Sequence, residues 1–457
     1  MREKTSLAPP VKLRIFAREK HGISRRNISN GALRVLYRLH EAGYEAFLVG
    51  GAVRDLLLGG HPKDFDIATN ATPEQVRGLF RNCRLIGRRF RLAHVVFGQE
   101  IVEVATFRGV GEAGDVDRHV VDGRIVRDNV YGSIEEDAIR RDFRVNALYY
   151  NIADFSVRDY VGGMEDLDQR VLHLIGDPEQ RYREDPVRML RAVRLAAKLD
   201  FTIHPSARKP FDTLGELLCG AAPARLFDES LKLFLGGHAR VSFTQLFDSG
   251  LLQFVYPGTA MALVHDMRGE FRQLIERALT STDERVLAGK SVTPAFLFSV
   301  LLWGDVVGRA ERAIRGGSDA PHAWARAAQD AIAAQAARVA VPRRFSLVME
   351  EIWALQPRFE QRMKKRVLRL LAHPRFRAAY DFFVLRAETD PALRELAQWW
   401  EQAQQVEPEE LGELVAPLAP AATVNSEVAP AKKRRRRRRR GGAAKSGGEA
   451  GETPAST

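Results

Sequence analysis

Residues Ala42 to Asp66 read AGYEAFLVGGAVRDLLLGGHPKDFD. The apolar run Phe47-Leu48-Val49 suits a buried strand, and it stops at Gly50-Gly51, where the chain can turn. Arg54-Asp55 then marks a helix start, and Asp64-Phe65-Asp66 follows. Side chains alternate along a strand, so Asp64 and Asp66 share a face while Phe65 turns into the core. Two carboxylates held that close repel each other unless a cation stands between them. Hard oxygen donors favour Mg²⁺, with Mn²⁺ as a substitute. The glycine turn leaves backbone N–H groups free for phosphate oxygens. Phosphoryl transfer needs mainly positioning and charge neutralisation, which such a site supplies. An isolated acidic pair is often a surface turn, and an isolated Gly-Gly is usually a loop. It is the joint spacing that reads as a nucleotidyl-transfer site.

That arrangement resembles the nucleotidyltransferase superfamily that includes DNA polymerase beta, and within it the branch of bacterial poly(A) polymerases and tRNA CCA-adding enzymes. Further blocks extend the resemblance. Arg140-Arg141-Asp142-Phe143-Arg144-Val145-Asn146-Ala147-Leu148 is similar to the branch's RRDFTxNAL block, with Arg144 where Thr is usual. Glu184-Asp185-Pro186-Val187-Arg188 matches EDxxR and continues into Arg191 and Arg194. The resemblance implies that Asp142 completes the acidic site, that Gly51 and Arg54 hold the triphosphate, and that Arg141 serves the sugar and phosphate side. It also implies that Asp185 and Arg188 read the incoming base without a template, while Arg191 and Arg194 approach the triphosphate.

The chemistry of base reading can be argued from the residues themselves. Asp offers acceptors and Arg a planar fork of donors, so a side-by-side pair can accept from adenine N6 and donate to N1. Arg188, Arg191 and Arg194 recur every three residues and gather on one side of a helix. The plainer reading is that Asp185 caps a helix and Pro186 opens its first turn. Glu103 lies in the strand-like run from Ile101 to Ala105 and faces either the metal site or an ion pair with Arg108. His94 is read as a residue of fold or nucleotide fit rather than a general base.

Leu85-Ile86-Gly87-Arg88-Arg89-Phe90-Arg91-Leu92-Ala93-His94-Val95 resembles the segment of bacterial poly(A) polymerases, and the likeness spans roughly residues 18 to 400. It implies ATP as donor, RNA 3′ ends as acceptor, the RNA-degradation machinery as partner, and a cytoplasmic monomer. A CCA-adding enzyme and a non-catalytic RNA-binding protein stand as alternatives.

The chain has 457 residues, more than one core usually serves, so subdomains are expected. A formal charge of +12 suits a polyanionic partner. Lys432, Lys433 and Arg434 to Arg440 carry nine of those charges, so without this run the remainder stands at +3. Such a run binds phosphates non-specifically. Cys83 and Cys219 form no metal or disulfide spacing, which fits a reducing compartment. The longest apolar stretch, 292 to 303, is too short for a bilayer, so no stable membrane insertion is expected and a buried helix is. No signal peptide is read at the charged N-terminus.

The expected architecture is α+β. A loosely ordered basic leader (1–25) precedes a nucleotidyltransferase head of mixed sheet and helices (26–177). A helical neck for base recognition and RNA binding (178–265), an all-α RNA-binding body (266–406) and a disordered Arg-rich tail (407–457) follow. Within the head, strands are expected at 46–49, 65–68, 94–97, 101–105, 147–150 and 157–160. A helix capped by Thr72 is expected to start at Pro73, and 109–127 to form a mobile loop or hairpin beside the site. Neck helices are expected at 188–198, 225–235 and 243–252.

Overall fold

The computed structural model describes residues 13–87, 91–109, 118–121, 124–128 and 130–407. In chain order the head contributes β1 (Arg14–Phe16), β2 (Ala46–Val49), β3 (Asp66–Thr69), β4 (Cys83–Ile86), β5 (Leu92–Phe97) and β6 (Glu100–Thr106). It continues with β7 (Arg118–Val121), β8 (Arg124–Asp128), β9 (Leu148–Asn151) and β10 (Val157–Asp159). Eight of them form one mixed sheet in the order β1-β10-β9-β2-β3-β6-β5-β4. β3 and β6 run parallel, while β2 pairs antiparallel with both β3 and β9. β2 is buried at every position because it has a strand on each side and is covered on both faces.

Register places the chemistry. Val49 stands opposite Asp66, and Asp66 stands beside Glu103, so the end of β2, the start of β3 and the middle of β6 meet in one row. The 12-residue helix Asn30–Glu41 packs behind the sheet through Ala32, Val35, Leu36 and Leu39, a one-sided apolar stripe, and Ser29 caps it. The helix Pro73–Leu79 carries the expected Thr72 cap, completed to a capping box by Gln75. β7 and β8 form the expected hairpin, while 110–117 of that loop lie outside the described residues.

Two expectations need correction. The leader is not loose throughout: Arg14–Phe16 is the edge strand of the sheet, paired with β10. Three residues among charges give no visible period, and only the open edge of β10 makes them a strand. The neck segment 243–252 is not one helix. It is divided between the helices Ala239–Asp248 and Leu252–Val255 by Gly250 at φ 72°, a left-handed conformation suited to glycine.

From Pro178 onward helices dominate, joined to the head by the short parallel pair β11 (Val171–Leu172) and β12 (Thr202–Ile203). The helix Val187–Leu199 is the neck's centre, burying Met189, Leu190, Ala192, Val193 and Leu195. One apolar core runs from Ile23 in the head to Phe382 in the body, so the sheet and the neck are packed as one solid. A second core around Phe359 and Trp400 holds the end of the body together. The tail run and the rest of 408–457 lie outside the described residues. Among the described residues no helix is long and apolar enough to cross a membrane, and the 292–303 stretch forms part of the buried helix Pro294–Arg315.

Candidate active site

Asp66 opens β3 as an exposed residue whose carboxyl is crowded by the protein around it; Phe65 is buried and Asp64 is exposed in the loop just before the strand, an in-out order that matches the expected alternation. Burial, then the charge of Glu103, push the Asp66 carboxyl up to about 6; Asp64 adds to this and Arg141 opposes it. Glu103 in turn lies 3.3 Å from His94 Nε2 on β5, not on Arg108. The group is thus short of positive charge. Among the described residues no three His, Cys, Asp or Glu side chains converge into a ready metal cage. One or two carboxylates completed by substrate phosphates is how Mg²⁺ is usually held, so the donor set fits that ion.

Gly50 closes β2 at φ 74°, which lets the next helix, Gly51–Leu57, begin immediately beside Asp66. A Cβ at Gly50 would stand 3.5 Å from Arg141 Nη1 and 3.8 Å from Asp66 Oδ2. Arg141 therefore sits directly behind the turn. Its guanidinium reaches Asp137 Oδ2 at 3.0 Å and Tyr149 Oη at 3.0 Å, and these partners overcome burial to keep it firmly protonated. Arg141 acts on the site as a fixed charge behind the glycine turn, and Asp137 and Tyr149, which carry it, had no sequence signal of their own.

Arg54 is placed differently from the expectation. Its side chain is 4% exposed, and its guanidinium donates to Asp55 Oδ1 at 2.8 and 2.6 Å and to Asn146 Oδ1 at 2.5 Å. It braces the helix start against the Asn146 block and still borders the space in front of Gly51 and Asp66. Asp142 is also committed elsewhere. One oxygen accepts from Phe143 N–H at 2.8 Å and Asn146 Nδ2 at 3.2 Å, and the other takes Arg191 of the neck. In this structure Glu103 stands beside Asp66, while Asp142 ties head to neck. Asn146, common to both networks, was part of the recognised block but had no assigned role.

The site opens into a cleft of about 900 Å³ between head and neck. Gly51, Asp64 and Asp66 line one side, and Arg194, Lys198 and Lys232 the other. Lys63 joins them from the loop before Asp64. Lys198 reaches Asp55 at 3.0 Å, and Arg194 holds buried Glu229 at 2.5 Å. The lysines escaped sequence reasoning because isolated lysines are common on surfaces; only Lys63, next to Asp64, had a positional hint.

Asp185 and Arg188, expected to read the base, lie near each other but are not paired. Asp185 Oδ2 accepts from Arg225 at 2.9 Å, and its Oδ1 faces Val187 N–H at 3.3 Å, a capping contact. Arg188 bonds Glu184 at 3.1 Å and the Arg181 carbonyl at 2.6 Å. The three arginines of the neck helix share a side, yet each goes to a different acid: Glu184, Asp142 and Glu229. Arg144, in place of the usual Thr, lies 3.6 Å from Asp166, which also holds His173 at 2.9 Å.

Three family models match the chain: the poly A polymerase head domain over 46–173, the probable RNA- and SrmB-binding site of polymerase A over 200–263, and the arginine-rich C-terminus of polymerase A over 316–441. Poly(A) polymerase I of Salmonella typhi is 51% identical over 403 residues, with 87% of each chain covered. A CCA-adding enzyme of Lactobacillus gasseri is 37% identical over 231 residues, covering 50% of this chain and 56% of its own. Among solved structures, the Bacillus stearothermophilus CCA-adding enzyme in complex with CTP superposes with a TM-score of 0.55 at 24% identity. That superposition covers 86% of this chain and 88% of the other, and it carries the fold alone.

Proposed function

The chain belongs to the bacterial poly(A) polymerase family, and from that membership we propose how its own residues divide the work. The enzyme is a polynucleotide adenylyltransferase that adds AMP from ATP to RNA 3′ ends without a template. Asp64 and Asp66 hold the divalent cations, Mg²⁺ above all, with Glu103 beside them. The single observation that carries this is the register that sets Glu103 beside Asp66, with Asp64 next to them, at the mouth of a cleft that Lys63, Lys198 and Lys232 also line. A divalent cation held by these carboxylates would supply charge neutralisation for the phosphates and would favour ionisation of the primer hydroxyl.

The chain's own groups do the rest. Backbone N–H groups of the Gly50-Gly51 turn, with Lys63 and Lys198 across the cleft, receive the triphosphate. Arg141, fixed by Asp137 and Tyr149, biases the turn toward negative charge. Asp185 and Arg188 read the adenine edge from the neck, with Arg225 orienting Asp185. Arg54, Asn146, Asp142 and Arg191 set the angle between head and neck, and so the distance from base to reacting phosphate. The same reading places the enzyme in the cytoplasm, acting as a monomer beside the machinery that degrades RNA.

The test offers each nucleoside triphosphate singly, with Mg²⁺ and a labelled oligoribonucleotide. Long ladders with ATP alone are expected. Two C residues followed by one A on a truncated tRNA would identify CCA addition instead, and no incorporation at all would leave an RNA-binding protein.

A further inference from the structure

A second groove lies in the body, apart from the cleft of the acidic pair. It measures about 870 Å³ and is bounded by the helices Ala320–Ala336 and Lys364–Leu371 and by the turn that follows Arg343–Leu355. Three of the chain's five tryptophans, Trp303, Trp324 and Trp353, line it. Trp303 and Trp324 are stacked, with centroids 5.4 Å apart and planes at 20°. Trp303 is buried and Trp324 only half so, which leaves Trp324 as the aromatic surface the groove offers.

Four arginines stand around these rings, against two glutamates, Glu350 and Glu360. Arg358, Arg366 and Arg369 are exposed and form no ion pair with another described residue. Arg366 and Arg369 lie three apart on one helix, whose Val367 and Leu370 face the core, so both guanidiniums project from the outer side. The fourth, Arg386, lies deeper. It stacks 4.7 Å over Trp303 and donates to the neutral Gln356 amide at 3.1 Å. Burial lowers its affinity for the proton, bringing it to about 10. Glu360 and Asp390 offset part of that burial from a distance, while only a ring and an amide touch the guanidinium, so an anion that enters the groove stabilises it further.

We propose that this groove binds single-stranded RNA, stacking a base on Trp324 and holding phosphates with Arg358, Arg366, Arg369 and Arg386. A flat aromatic face flanked by unpaired arginines is the pairing that single-stranded nucleic acid uses and an acidic peptide does not need. The groove gives the enzyme a second hold on the strand whose 3′ end is extended, so it rests on the reading of the chain as an RNA-elongating enzyme.

The experiment uses the full-length chain and a labelled oligo(A) of roughly twenty nucleotides, followed by anisotropy across a salt series. Arg366→Glu with Arg369→Glu should weaken binding at least tenfold and flatten the log–log salt slope by about 1.4, two phosphate contacts' worth. Trp324→Ala should cost roughly tenfold, and Trp324→Phe should restore most of it. AMP addition to a saturating primer of about four nucleotides should stay at the wild-type rate in all of them. Unchanged affinity and slope in the arginine variant, or unchanged affinity in Trp324→Ala, overturns the proposal. So does displacement of an acidic peptide, but not RNA, from the groove by the arginine changes. If affinity falls as stated while even the wild-type protein adds no AMP, the groove stands and the adenylyl-transfer reading falls.

Discussion

Asp142 of the head and Arg191 of the neck are joined by a two-pronged ion pair, with Nε at 2.8 Å from Oδ2. Burial alone would raise the Asp142 carboxyl, but Arg191 and the bonds from Asn146 and Phe143 hold it down at about 2. The pair links the neck helix that carries Arg188, Arg191 and Arg194 to the head beside the acidic site. The aspartate expected to complete the acidic site also joins two parts of the molecule.

Asp142→Asn should therefore act on stability as well as rate. It leaves the half-buried Arg191 beside a neutral amide, a loss of about 1–3 kcal/mol once solvent screening of the guanidinium is counted. Because the folded-state carboxyl is depressed, its stabilisation is complete above the unfolded value near 4 and disappears as pH falls through about 2. Thermal unfolding of wild type and variant should differ by several degrees at pH 7 and converge toward pH 2.5. A gap that stays constant with pH would mean that the ion pair contributes nothing.

Asp64→Asn and Asp66→Asn should each reduce AMP transfer by at least a hundredfold, and Glu103→Gln by about tenfold. Mg²⁺ with a non-hydrolysable ATP analogue should raise the melting temperature of the wild type and leave the Asp64→Asn/Asp66→Asn double variant unmoved. A tenth or more of the wild-type rate in either single variant would take these residues out of the metal site.

Arg54 and Lys198 should separate cleanly. Arg54→Lys breaks a buried fork that Lys cannot reproduce and should destabilise by about 1–3 kcal/mol, with KM for ATP within twofold of wild type. Lys198→Ala removes a half-exposed cleft cation, so it should raise KM for ATP severalfold with little change in melting temperature. The reverse pattern would make Arg54 the phosphate ligand.

Arg225→Ala should relax nucleotide choice as Asp185→Asn and Arg188→Ala do, since it frees the Asp185 carboxylate to rotate. The measured quantity is the ratio of kcat/KM for ATP to that for CTP, expected to fall about tenfold. A uniform loss with the ratio intact would reduce Asp185 to its contact with Val187 N–H.

Deleting 430–457 should weaken RNA retention at moderate salt and flatten the salt slope, while single AMP addition to saturating primer continues unchanged. Lys432 to Arg440 supply the charge for this. Equal slopes with and without these residues would assign the RNA contacts to the rest of the chain, the body groove included.

Much of the fold is legible because its signals are local. Phe47-Leu48-Val49 ending at Gly50 reads as a buried strand meeting a turn, and Thr72-Pro73 with Gln75 reads as a helix start; each is written within a few residues. The same holds for Asp64 and Asp66, whose shared face follows from alternation alone. Arg14–Phe16 was illegible for the opposite reason, since its strand character depends on β10, over a hundred residues away.

The partners of the charged residues belong to tertiary structure. Sequence alone determined the enzyme family, the acidic pair, the glycine turn and the helical stripe of Arg188, Arg191 and Arg194. It could not choose which acid each arginine would meet, because every guanidinium and every carboxylate offers the same donors and acceptors. Sheet register put Glu103 beside Asp66, and neck packing gave Asp142 to Arg191 and Asp185 to Arg225. Burial gave Arg54, expected beside the triphosphate, Asp55 and Asn146 as partners at the edge of the cleft. Local pattern sets what each residue can do; the distances set by packing decide which of those things it does.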